Sequence, residues 1–218
     1  MIFAKIDYIN LLPFHVYFKK NIKPAKLKAI INSKKSYPAD INKKFLNRKV
    51  DAAFISSIKS KGQKSLDFGI IGKKEILSVL SIPGDYKEDH ESNTSNLLAK
   101  ILQCEGQVLI GDKALKYYVS HDKDSFVDLG KLWTKKHNLP FVFARLCYNK
   151  HGDYLKKITK NFNKRAVKIP QYILKEYSQR TGISVKDIQF YLTKLDYKIE
   201  KKEKKGLNLF FKLAKDIK

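Results

Sequence analysis

The sequence predicts an α/β protein built as two lobes about a central cleft, with a helical C-terminal region. Three observations predict it. Apolar runs of strand length alternate with amphipathic stretches of helix length through residue 148, the pattern of helices crossing between strands of parallel sheets. A polar break over residues 84–94 divides strands that are too few for one long doubly wound sheet. From Asp153 onward the periodicity is helical, in three or four amphipathic segments.

Ile2, Ala4, Ile6 and Tyr8 alternate with Phe3, Lys5, Asp7 and Ile9 as a first strand, which ends at Asn10. Pro13 then suits the opening of a helix, where its missing N–H costs nothing. Ala39–Leu46 reads as a helix with Ile41 and Phe45 on one face, stopped by Asn47 in a left-handed conformation. Val50–Ile55 is a second strand, ending in Ser56 and Ser57. Further β structure is expected over Phe68–Ile71 and Glu75–Ile82, interrupted near Gly72 and closed by Pro83-Gly84. Ser95–Gln103 is an apolar-faced helix, Val108–Gly111 a strand, and Asp112 a cap for the next helix. Asp128 opens another helix, Pro140–Tyr148 is a strand, and Ser184 with Asp187 marks a helix start. Gly182 and Gly206 read as punctuation, and Glu200–Lys205 as a charged link between helices.

The 218 residues carry a net charge of +24, which raises a nucleic-acid reading. All but four of the 45 basic residues are Lys. Arg is the side chain that reads bases bidentately, so its scarcity counts against specific nucleic-acid recognition. The lysines read instead as a solvated surface whose field draws small anions. No run approaches the ~20 apolar residues of a membrane span, and no leader pattern precedes the first strand, so a cytoplasmic location is expected. Cys104 and Cys147 read as buried thiols.

Seven segments together resemble one family. They are Asp7–Phe14, Val50–Ser57, Ser78–Ser81, Ser92–Ser95, Leu109–Leu115, Asp128–Trp133 and Leu139–Ala144. In order and spacing they are similar to the chorismate dehydratases of the futalosine route to menaquinone, well over residues 1–148 and more loosely beyond. The resemblance implies a type II periplasmic-binding-protein fold. With the polar break, it places the lobes at residues 1–83 plus 176–218 and at 84–175. It also implies loss of water from chorismate, a dianion, to give 3-[(1-carboxyvinyl)oxy]benzoate. The histidine-bearing motif of the sister family that cyclises dehypoxanthine futalosine is not found. One departure concerns the Ser-x-Thr-Ser segment, whose second position is Arg in the family and Asn93 here.

Such a reaction needs two carboxylates held, developing charge stabilised and a base near C3 of the ring. Asn10 and Ser78 are the expected catalytic contacts, Asn10 through its place in the family's Asn-x-x-Pro segment. Ser81 is the register alternative to Ser78, since the two face opposite sides of a regular strand. Ser56, Ser57, Asn93, Thr94, Ser95, Gly111 and Asp112 are the expected binding residues. Against each stands a plainer role: Ser, Thr or Asp as a helix cap, Asn10 as a turn residue. Asp128 and Trp133 read as cap and core. No general base stands out; only His15 lies near a motif, and the resemblance suggests that the substrate's own enolpyruvyl carboxylate takes the proton. The Cys and His spacing does not suit a metal, no glycine-rich phosphate loop is present and no cofactor is expected. A non-catalytic solute-binding protein of the same fold is the alternative.

Overall fold

The computed structural model describes residues 1–22 and 35–217. Strand β1 (Phe3–Ile6) is buried throughout, and even its Lys5 is inside, ion-paired to Asp7 at 2.5 Å. Pro13 lies in the first turn of α1 (Leu12–Asn21), where the ring preorganises the helix. There follow β2 (Lys35–Ser36), α2 (Pro38–Leu46), β3 (Ala52–Ser56), the single turn α3 (Ser57–Ser60) and β4 (Ser65–Gly72). Next come β5 (Val79–Ile82), α4 (Asn93–Leu102), β6 (Gln107–Ile110), α5 (Gly111–Ser120), β7 (Val127–Asp128) and α6 (Leu129–His137). The chain continues as β8 (Phe141–Tyr148), α7 (Gly152–Lys160), α8 (Gln171–Thr181), α9 (Val185–Lys194), β9 (Leu195–Lys198) and α10 (Lys201–Asp216).

The strands form two sheets, β2-β1-β3-β8-β4-β9 and β6-β5-β7. The first packs around an aromatic cluster in which Phe14 meets Phe54 at 5.0 Å and Phe18 at 5.1 Å between ring centres. Trp133, Phe141 and Phe210 tie α6, β8 and α10 together, with Phe141 and Phe210 4.9 Å apart. Each of these rings is essentially inaccessible, a burial worth roughly 1.5–3 kcal/mol per side chain.

Several expectations are corrected. Among the described strands only the β1–β2 and β1–β3 pairs are parallel; β8 runs antiparallel to both β3 and β4. Order along the chain reported the alternation of elements, not which strands became neighbours. The β segments on either side of Gly72 belong to different sheets, because the chain leaves the large sheet there and Leu77 turns it with a φ of 59°. The span 84–175 is not how the sheets divide, since β8 inserts into the large sheet and β5 starts the small one at Val79. Asn47 is not left-handed; Arg48 is, at φ 55°. Glu200–Lys205 is no link: Glu200 and Glu203 form a reciprocal capping box that opens α10. Gly206 lies inside that helix because a Cβ there would stand 2.2 Å from the Pro140 carbonyl oxygen. Strand β9 was hidden in a stretch that reads as helical throughout.

Candidate active site

A cleft opens between the sheets. The large sheet and its loops supply Ile6, Tyr8, Asn10, Ser56, Phe143 and Ala144; the other wall supplies Ile76, Ser78, Ser92, Ser95, Ile110 and Gly111. Among the described residues no charged side chain lines it. Its polarity rests on hydroxyls, one carboxamide, one phenol and backbone groups.

Asn10 sits in a 3-10 turn (Ile9–Leu11) after β1. Its carbonyl oxygen accepts from the Tyr197 hydroxyl at 2.6 Å, which pins the turn from β9. Its side-chain Oδ1 is buried with no partner, an arrangement that costs about 1–3 kcal/mol unless a ligand fills it. Ser78, just ahead of β5, accepts from the Tyr191 hydroxyl at 2.7 Å. Ser81 faces away and donates to Glu105 O at 3.1 Å. Ser56 ends β3 and accepts from Asn42 Nδ2 at 2.8 Å.

Helix α4 aims its N-terminus at the cleft. Ser92 is the cap, accepting from Ser95 N–H at 3.2 Å, while its hydroxyl donates to Ser95 Oγ at 3.0 Å. Free N–H groups of such a first turn attract an anion. Gly111 begins α5 with φ +64°, and a Cβ there would lie 2.6 Å from the Tyr8 ring. The Tyr8 hydroxyl donates to Glu91 Oε2 at 2.5 Å, and burial, with that carboxylate, pushes its pKa up. Lys113 sits 2.7 Å from Asp89 and 3.3 Å from Glu91, so this cation is neutralised behind the wall.

Comparison with known proteins decides the family. A family model described as menaquinone biosynthesis matches residues 77–216. A chorismate dehydratase from Campylobacter jejuni is 47% identical over 222 residues, covering 100% of this chain and 99% of the relative. The chain belongs to the chorismate dehydratase family. The fold agrees with a crystal structure of the protein AF1704 from Archaeoglobus fulgidus, with a TM-score of 0.61, 13% identity and coverage of 98% of this chain and 96% of that one.

Within this chorismate dehydratase family member, the cleft gathers Asn10, Ser78, Ser56, Ser95 and Gly111 from the sequence-derived set. It does not gather the others. Ser57 is buried and donates to Val142 O at 2.5 Å. Asn93 is exposed and outside the cleft lining. Thr94 accepts from Ile58 N–H at 3.1 Å, outside the lining. Asp112 does not cap its own helix: it accepts from Ile9 N–H at 2.9 Å and lies 3.3 Å from Arg180. Burial is the largest influence on Asp112 and pushes its pKa up to about 6. Asp128 does cap α6, and Trp133 is core. His15 is in the core, its Nε2 3.0 Å from Ile6 O, and outside the cleft lining.

Tyr8, Ser92, Asn42 and Tyr191 were not singled out from sequence. The first two sit inside segments that carry the resemblance, and Ser92 has the spacing of a cap for Ser95. Asn42 and Tyr191 carry no local signal; each acquires its meaning from a partner 14 or 113 residues away.

Proposed function

We propose that the cleft binds chorismate and eliminates water from it, giving 3-[(1-carboxyvinyl)oxy]benzoate for menaquinone biosynthesis. The C3 proton leaves as the ring carboxylate takes up charge through the adjacent diene. The C4 hydroxyl then departs with a proton as water, and the ring becomes aromatic. Neutral donors suit this chemistry, because they are fixed before charge develops and stand in a site of low dielectric. In this reading Asn10 faces the C4 hydroxyl, Ser78 stands by the developing charge, and Ser95 at the start of α4 holds a carboxylate. Among the described residues the lining has no His, Asp, Glu or Lys, which supports the substrate's enolpyruvyl carboxylate as the base.

The observation that carries the reading is the unpartnered Oδ1 of Asn10, buried in a cleft of otherwise neutral polarity. Incubating the protein with chorismate and following ultraviolet absorbance tests it. An aromatic product is the expected result; binding without turnover would make the protein a solute binder.

A further inference from the structure

Three of the four cleft serines share a feature that the reaction alone does not require. Each hydroxyl oxygen accepts from a neighbouring side chain, and for Ser56 and Ser78 that neighbour stands behind the cleft lining. Asn42 Nδ2 donates to Ser56 Oγ at 2.8 Å, Tyr191 donates to Ser78 Oγ at 2.7 Å, and Ser92 donates to Ser95 Oγ at 3.0 Å. For Ser56 the direction is fixed. Asn42 Oδ1 is engaged by the Ser56 backbone N–H at 3.1 Å, so the amide nitrogen must face the hydroxyl. Ser92 is ordered by the Ser95 N–H that it accepts. A hydroxyl has one proton. Where its oxygen already accepts from behind, that proton is left to point forward.

We infer that Asn42 and Tyr191 are positioning residues that hold the Ser56 and Ser78 hydroxyl protons toward the cleft, making it a donor surface selective for a fully ionised dicarboxylate. This rests on the reading of chorismate as the substrate. Asn42 touches no substrate itself; it lies in α2, 3% exposed, behind β3. The selection works by polarity. A carboxylate oxygen accepts from every forward-pointing proton, whereas a protonated or esterified carboxyl brings a group that cannot accept. The cleft thus reads the charge state of its ligand without a cation in its lining.

The test reverses one donor. Asn42→Asp keeps shape and still accepts from Ser56 N–H, but it also accepts the Ser56 hydroxyl proton and so turns that proton away from the cleft. Asn42→Ala merely frees the hydroxyl to rotate. With chorismate as the probe, Asn42→Asp should raise KM by about tenfold or more, and clearly beyond Asn42→Ala. In a Ser56→Ala background the Asp–Ala gap should vanish; a persistent gap would mean that the new charge acts at a distance and would overturn the inference. Equal KM for the two single variants would overturn it as well. Tyr191→Phe supplies the arm that survives if the Asp variant does not fold. It should lower kcat by about tenfold with the melting temperature within a few degrees of wild type, and Ser78→Ala should add little on top. Wild-type kcat in Tyr191→Phe, or full additivity with Ser78→Ala, would overturn the Tyr191 assignment. Absence of chorismate turnover in the wild-type protein would instead remove the functional reading, a separate failure.

Discussion

At the scale of single residues, Asn10 and Gly111 carry the sharpest expectations. Asn10→Asp replaces a neutral amide with a negative charge beside a dianion, in a cleft with no cation among its described lining residues. Turnover should fall more than tenfold, a barrier increase above ~1.4 kcal/mol, while thermal melting stays near wild type because the backbone contact to Tyr197 persists. Near-wild-type kcat would make Asn10 a turn residue only. Gly111→Ala imposes a Cβ at φ +64° that meets the Tyr8 ring. The left-handed conformation alone costs about 1–2 kcal/mol, so the variant should melt several degrees lower and raise KM as Tyr8 is displaced. An unchanged KM would show that the ring yields without consequence. The serine motifs were legible because their sequence context is short. Thr94 and Ser57 lie outside the cleft lining for a reason no sequence states: each engages a backbone group of a neighbouring element through its hydroxyl oxygen.

At the scale of elements, Asp128 holds the link that delivers Ser78. Its carboxylate accepts from Ile76 N–H at 3.0 Å, Leu77 N–H at 2.8 Å and Lys131 N–H at 2.9 Å. It therefore joins the cap of α6 to the turn before β5. Asp128→Ala leaves buried donors unpaired at about 1–3 kcal/mol each, so urea unfolding should show a loss of ~3 kcal/mol or more, with kcat falling too as Ser78 shifts. A loss below ~1 kcal/mol would mean an ordinary cap. The sequence showed Asp128 as a helix cap and could not show the second duty, because the turn it serves lies 51 residues earlier. Helix periods and capping pairs such as Ser184 with Asp187 are local and were readable. Strand direction is not local, which is why the large sheet proved mixed.

At the scale of the molecule, stability against pH turns on a buried histidine. Burial, with the Lys5 charge, lowers the His15 pKa to about 3, against about 6.5 in an unfolded chain. The folded form is neutral, so below pH 6.5 the unfolded chain gains a proton that the folded chain refuses, and stability falls until about pH 3. Asp112 has the opposite sign, since its raised pKa favours the folded state as pH drops below about 6. Comparing wild type with His15→Gln isolates the histidine. Relative to wild type, the variant should gain up to ~1.4 kcal/mol for each pH unit between 6 and 4, read as a converging or crossing pair of melting temperatures. Parallel curves would mean that His15 takes up its proton in the fold. One more consequence lies in the strand order β3-β8-β4. On the ribosome β3 and β4 are made before the strand that joins them, and neither gains that shared neighbour until Phe141–Tyr148 arrives to lie between them. The three strands of the small sheet are complete earlier, by Asp128, so the late-made strand closes the older half of the protein. Until then two apolar edges stand open, and nascent chains halted before residue 141 should aggregate where those halted in α7 do not.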